Sequence, residues 1–170
     1  MAYIMHRIFC AAAGDLEEER SAFYKVVGEF NAAHAMPRGV LFVSVALPMN
    51  TFDKRSFQAA VSENIRACRY YIQVLEDTWG PPEKNFERDH ALAGKCVGDP
   101  NLPMQEVAVL FKKPLLPHQM EPGVTELKRK LDADNSQPRA DFDDLEEYQR
   151  QLHHLLSGWL ETVAPAAVGA

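Results

Sequence analysis

The run Val40-Leu41-Phe42-Val43-Ser44-Val45-Ala46-Leu47 offers apolar side chains to both faces of a strand. A strand with no polar face has to be covered on both sides, which points to a parallel sheet between layers of helices. The rest of the chain agrees. Residues 4–9 form a short apolar strand, and Asp15 follows as a helix N-cap. Glu17, Glu18 and Glu19 then favour the positive end of the helix dipole. Phe23, Val26, Val27 and Phe30 repeat at helical spacing, and Pro37 and Gly39 end that helix near His34.

After residues 40–47, Phe57, Ala60, Val61 and Ile65 mark a second helix, and Tyr70-Tyr71-Ile72-Gln73-Val74-Leu75 a third strand. A third helix is expected from about residue 83 to 95, a fourth strand at 107–111 and a short helix at 124–131. Residues 132–141 are polar and read as a loop. A long amphipathic helix over 143–163 then carries Leu145, Tyr148, Leu152, Leu155, Leu156, Trp159 and Leu160 on one side. The alternation predicts one α/β domain over residues 1–163, a parallel sheet in order 2-1-3-4 and helices on both faces. Residues 164–170 are expected to be a flexible tail.

Composition narrows the function classes. A net charge of −6, with Lys and Arg scattered, gives no general attraction to nucleic acid or anionic membranes. The longest apolar run falls well short of the roughly 20 residues that span a bilayer. Neither a nucleic-acid partner nor a membrane is therefore expected. Cys10, Cys68 and Cys96 fall inside predicted elements and form no Cys-x-x-Cys pair. They read as free thiols in a reducing, cytoplasmic setting. His90, His118, His153 and His154 form no metal-ligand spacing, and adjacent His153 and His154 point to different sides of a helix. No metal site is expected.

In an open α/β sheet, ligands bind beyond the carboxyl ends of the strands. That selects residues 10–15, 48–55 and 77–87. The first of these loops lacks the glycine patterns that cradle dinucleotides or nucleoside triphosphates.

Phe9-Cys10-Ala11-Ala12-Ala13-Gly14-Asp15-Leu16-Glu17-Glu18-Glu19-Arg20 resembles the opening motif of a TIR-like family of uncharacterised domains, often found ahead of STAND-type NTPases. Members end their first strand in Ser-Ser-Thr and continue with Asp-Leu-x-x-Glu-Arg. Asp15, Leu16, Glu19 and Arg20 match the second half, whereas Cys10, Ala11 and Ala12 replace the hydroxyl residues. Residues 67–75 followed by Trp79-Gly80 are similar to the family's third strand and aromatic-Gly loop. Glu87-Arg88-Asp89-His90-Ala91 is similar to its Glu-x-x-x-Ala, so the matches extend over about residues 4–112.

The resemblance implies a TIR-like or flavodoxin-like three-layer fold. Related folds include NAD-cleaving TIR domains and nucleoside deoxyribosyltransferases, which break N-glycosidic bonds with a glutamate on the helix after the third strand. A carboxylate there stabilises or traps an oxocarbenium-like state. Glu87 fits that position best and Asp89 second, with Asp15, Arg20 and Trp79 as ligand-binding candidates. Plainer roles stand beside these: Glu87 as a surface acid near a helix start, Asp15 as a cap, Arg20 as its ion-pair partner or a loop clamp, and Trp79 as a loop anchor. The expected function is a TIR-like signalling or interaction domain working through a protein partner or self-association. The last helix and the proline-rich loop after the fourth strand are the expected contact regions. The alternatives are a nucleotide N-glycosidase or NAD-consuming enzyme using Glu87, and a non-catalytic nucleotide sensor. No resident cofactor is expected, NAD or a nucleotide entering only as substrate or ligand.

Overall fold

Each strand of the sheet hands the chain to a helix that crosses back over one face. The computed structural model describes residues 2–13, 15–45, 53–116 and 119–164. The elements are β1 (Ile4–Ala12), α1 (Glu17–Phe30), β2 (Val40–Val45), α2 (Lys54–Ala67), β3 (Tyr70–Leu75), α3 (Phe86–Val97), β4 (Glu106–Lys112), α4 (Pro122–Asp134), β5 (Arg139–Phe142) and α5 (Leu145–Val163). A π-helical segment, Asn31–Ala35, and a 3-10 turn, Met36–Arg38, continue α1. Gly39 (φ 74°) closes this stretch in the left-handed conformation that glycine adopts freely.

All strand pairs are parallel, in the order β2-β1-β3-β4-β5. The expected order 2-1-3-4 is present and extended by one strand. With α1 and α5 on one face and α2, α3 and α4 on the other, this is a three-layer flavodoxin-like α/β fold. One core joins Ile8, Phe42, Tyr70, Ile72, Val74 and Leu110 to Phe23, Phe30, Leu152 and Trp159. The opposite core joins Phe9, Tyr71, Val107, Val109 and Phe111 to Ile65, Ala93 and Leu131.

Three expectations need correction. Residues 132–141 are not simply a loop, because α4 runs to Asp134 and Arg139–Phe142 pairs with β4 as β5. The strand buried at every position is β3, whereas β2 lies at the sheet's edge and is only half covered. Residues 46 and 47, which completed the expected strand, lie outside the described residues, as do His118 and the tail from residue 165. Finally, Asp15 does not cap α1. The N-cap is Leu16, no side chain caps the helix, and Asp15 is exposed. Leu16 is buried in the core, and that anchoring starts the helix one residue beyond the reach of Asp15.

Side-chain caps do form elsewhere. Asp53 accepts from Ser56 N at 2.8 Å at the start of α2, and Asp144 accepts from Glu147 N at 2.8 Å at the start of α5. The Glu147 carboxylate reaches back to Asp143 N at 2.9 Å, in the manner of a capping box. Among the described residues, no helix is long and apolar enough to cross a membrane.

Candidate functional site

The chain leaves β1 in one direction toward β2 and later continues on the other side with β3. The carboxyl ends of β1 and β3 therefore flank the crevice where this topology places ligands. Two groups of side chains stand near it.

The first surrounds the end of β1. Arg20 Nη2 donates to Ala12 O at 2.7 Å, and Arg20 also pairs with Glu17. Arg20 is thus the clamp on the neighbouring strand end, and its ion-pair partner is Glu17, not Asp15. Glu19 is only 2% exposed and meets Lys112 Nζ at 2.7 Å, tying α1 to the end of β4. Burial pulls the Lys112 ammonium down, but its hydrogen bond to Glu19 and the charges of Glu19, Glu76 and Glu18 outweigh this and raise it above its ordinary value. Burial pushes the Glu76 carboxyl up. Lys112 opposes that shift, while Asp77, Glu19 and Asp15 reinforce it. Burial also pushes the Cys10 thiol up to about 12, against the opposing influence of Tyr148 and Arg20.

The second group follows β3. Trp79, Gly80, Phe86, Glu87, Arg88 and Glu121 line an open groove of about 440 Å³. Trp79 and Glu87 share this groove, but Asp15 and Arg20 are not among its described lining residues. The Trp79 ring is 7% exposed, tilted against His90 at 5.7 Å, and part of the core under α3. Its Nε1 has no partner among the described residues. The backbone N–H of Trp79 and the Thr78 hydroxyl both donate to Glu121 at 2.8 Å, which fixes the loop to the start of α4. That is the geometry of an anchor, with little ring face left for stacking a base.

The two candidate carboxylates differ sharply. Glu87 is exposed, whereas Asp89 is 5% exposed and packs under α3. Burial pushes the Asp89 carboxyl up to about 6, with Arg88 working against the shift. Arg88 is itself committed to α2, donating to Gln58 Oε1 at 3.1 Å and Ser62 Oγ at 2.9 Å. Beneath Asp89, Tyr71 donates its hydroxyl hydrogen to Gln73 Oε1 at 2.8 Å, and Gln73 Nε2 donates to Ala11 O at 3.1 Å. Burial and the charge of Asp89 hold the Tyr71 hydroxyl well above its usual range, so it stays a donor. A carboxyl with a pKa near neutrality can give or take a proton. Among the described residues, no group of three or more His, Cys, Asp or Glu is placed to hold a metal ion.

Sequence reasoning missed Glu76 and Lys112 and gave Glu19 a helix-dipole role and a place in the opening motif, not a buried ion pair. The available signal was a charged residue ending each of two apolar strands, Leu75-Glu76 and Phe111-Lys112.

No family model matches this chain, and comparison with curated proteins gives no match. Among solved structures, the chain is similar to general stress protein 14 from Treponema denticola, solved in complex with FMN. The identity is 11%, the TM-score 0.43, and the match covers 92% of this chain and 98% of that one. It is also similar to an NADPH-quinone reductase from P. pentosaceus at 12% identity and a TM-score of 0.40, covering 97% and 100% of the two chains.

Proposed function

We propose that this chain is a TIR-like interaction domain of the cytoplasm that works by contact with a protein partner or a second copy, without turnover. The observation that carries the reading is the proline-flanked pair Leu115 and Leu116 after β4. They follow the carboxyl end of β4 and are 91% and 48% exposed. Large apolar side chains held in water mark contact surfaces. The filled environment of Trp79 and the pairing of Glu19 with Lys112 and of Arg20 with Glu17 support the same reading, because among the described residues they commit these groups to the protein itself. A second contact region is the groove of about 460 Å³ where Gln151, His154 and Leu155 of α5 face Ala140 of β5.

Light scattering after gel filtration tests the reading. The wild type should self-associate as its concentration rises, or retain a partner in co-purification, and Leu115→Ser with Leu116→Ser should abolish either. A double variant that associates as the wild type does would refute the assignment of this loop.

The tuning of Asp89 favours a second reading, cleavage or sensing of an N-glycosidic ligand such as NAD or a nucleoside. In that case the carboxyl serving the leaving base would be Glu87, which lines the groove, or the buried Asp89 two residues on, which burial holds near neutrality. Incubation with NAD and several nucleosides at high protein concentration separates the two readings. No released base is expected. Release that is lost in Glu87→Gln or in Asp89→Asn would replace the interaction reading with the enzymatic one.

A further inference from the structure

The face of the molecule opposite the groove after β3 carries a feature that neither reading uses. Where α1 ends, the helix widens into the π-helical segment Asn31–Ala35, which sets exposed His34 against α5. His153 of α5 faces it, with ring centroids 5.4 Å apart and ring planes at 87°. Each imidazole also packs at 5.0 Å on Phe30, a ring only 2% exposed, so one buried side chain supports both.

We propose that His34 and His153 form a two-imidazole site for a borderline divalent transition metal, Zn²⁺ being the reference ion. Two imidazoles on one tetrahedral ion, at Zn–N of about 2.0–2.1 Å, place their ring centroids roughly 5–5.5 Å apart. The observed separation falls in that range, and the broad χ2 preference of histidine lets exposed rings turn their nitrogens to a common point. The two backbones are held independently. Asn31 Nδ2 donates to Phe42 O at 2.8 Å and Phe42 N donates to Asn31 Oδ1 at 2.9 Å, fixing the π segment to β2, while His153 lies within the 19-residue α5. Ligands mounted on rigid elements lose little entropy when they chelate. π-helical turns also recur at functional sites.

Arg38 is paired with Glu161, and Glu29, Glu146 and Arg150 line the groove beside His153. With no third protein ligand in place among the described residues, water completes the shell and the ion exchanges readily. His154, next in sequence, lines the groove on the other side of α5 and takes no part.

Calorimetric titration of the tag-free protein with ZnCl₂ tests the site against His34→Gln, His153→Gln and His154→Gln. Each of the first two should weaken binding about ten-fold or more, the effect of reducing a chelate to a single ligand. His154→Gln should bind as the wild type does. Equal losses in all three variants, or a wild type no tighter than the His34→Gln/His153→Gln double variant, would overturn the assignment. Imidazole NMR signals of the unaltered protein give a test that needs no variant to fold. The ring signals of His34 and His153 should shift together on adding Zn²⁺ while those of His154 stay in place. Movement of only one of the pair would equally refute a shared ion.

Discussion

Asn31→Ala should be among the most damaging polar substitutions in the molecule. Phe42 directs its N–H and C=O away from β1, toward the open edge of the sheet, and the Asn31 amide satisfies both at 2.9 and 2.8 Å. Each hydrogen bond is worth about 0.5–1.5 kcal/mol net, and a buried backbone group left without a partner costs about 1–3 kcal/mol more. Asn31 is 8% exposed and Phe42 2%, so water entering the vacated space offsets only part of the loss. The expected cost is about 3 kcal/mol, which lowers Tm by roughly 6–12 °C for a domain of this size. Urea unfolding followed by circular dichroism measures it. The isosteric Asn31→Asp adds a stricter test. Its carboxylate keeps the acceptor for Phe42 N–H but turns an oxygen toward Phe42 C=O, so the folded state favours the protonated acid and raises its pKa. A raised folded pKa means stability that is present at low pH and lost as pH rises. The deficit of Asn31→Asp should therefore be smallest below about pH 4 and grow toward neutrality. A cost below about 0.5 kcal/mol for Asn31→Ala, or a pH-independent deficit for Asn31→Asp, would show that the amide does not carry the edge.

Three further outcomes are expected. Lys112→Met strands the buried Glu19 and should cost about 3 kcal/mol in urea unfolding, whereas combining it with Glu19→Gln should recover most of that loss. Asp89 has a folded pKa of about 6, above its unfolded value, so its contribution to stability falls as pH rises from about 4 to 6. Asp89→Asn should flatten that slope and be neutral or stabilising at pH 7, as read from Tm across the pH series. Burial pushes Cys10 and Cys68 up to about 12 and raises Cys96, so a colorimetric thiol reagent at pH 8 should react slowly with the native protein. It should count three thiols after denaturation.

The first four strands of the sheet were legible because they are apolar runs rich in β-branched and aromatic residues, a pattern that admits few folds. β5 was not. Arg139-Ala140-Asp141-Phe142 is short and half polar because it is an edge strand, and Arg139 pairs with Asp132 and Asp141 at the surface. Only its position beside β4 gives it a strand's hydrogen bonds, and position is a tertiary fact. The misplaced cap has a similar origin. Asp15 has the right chemistry, but the burial of Leu16 decides where the helix starts. At the candidate site, the rule that ligands bind beyond the strand ends brought Trp79 and Glu87 to one groove. It did not distinguish exposed Glu87 from buried Asp89, two residues apart. That difference depends on which side of α3 faces Tyr71, a contact formed only when the helix packs on the sheet.

The hydrogen-bonded pair Tyr71 and Gln73 also constrains how this sequence can drift over generations. Tyr71→Phe alone leaves Gln73 Oε1 without its donor in a fully buried setting, and Gln73→Leu alone removes the partner of both the Tyr71 hydroxyl and Ala11 O. Each single step costs about 1–3 kcal/mol, yet replacing both polar groups by apolar ones of the same shape is close to neutral. Between the two viable states lies a fitness valley that one substitution at a time must cross. Positions 71 and 73 are therefore bound to a common history, changing together or not at all.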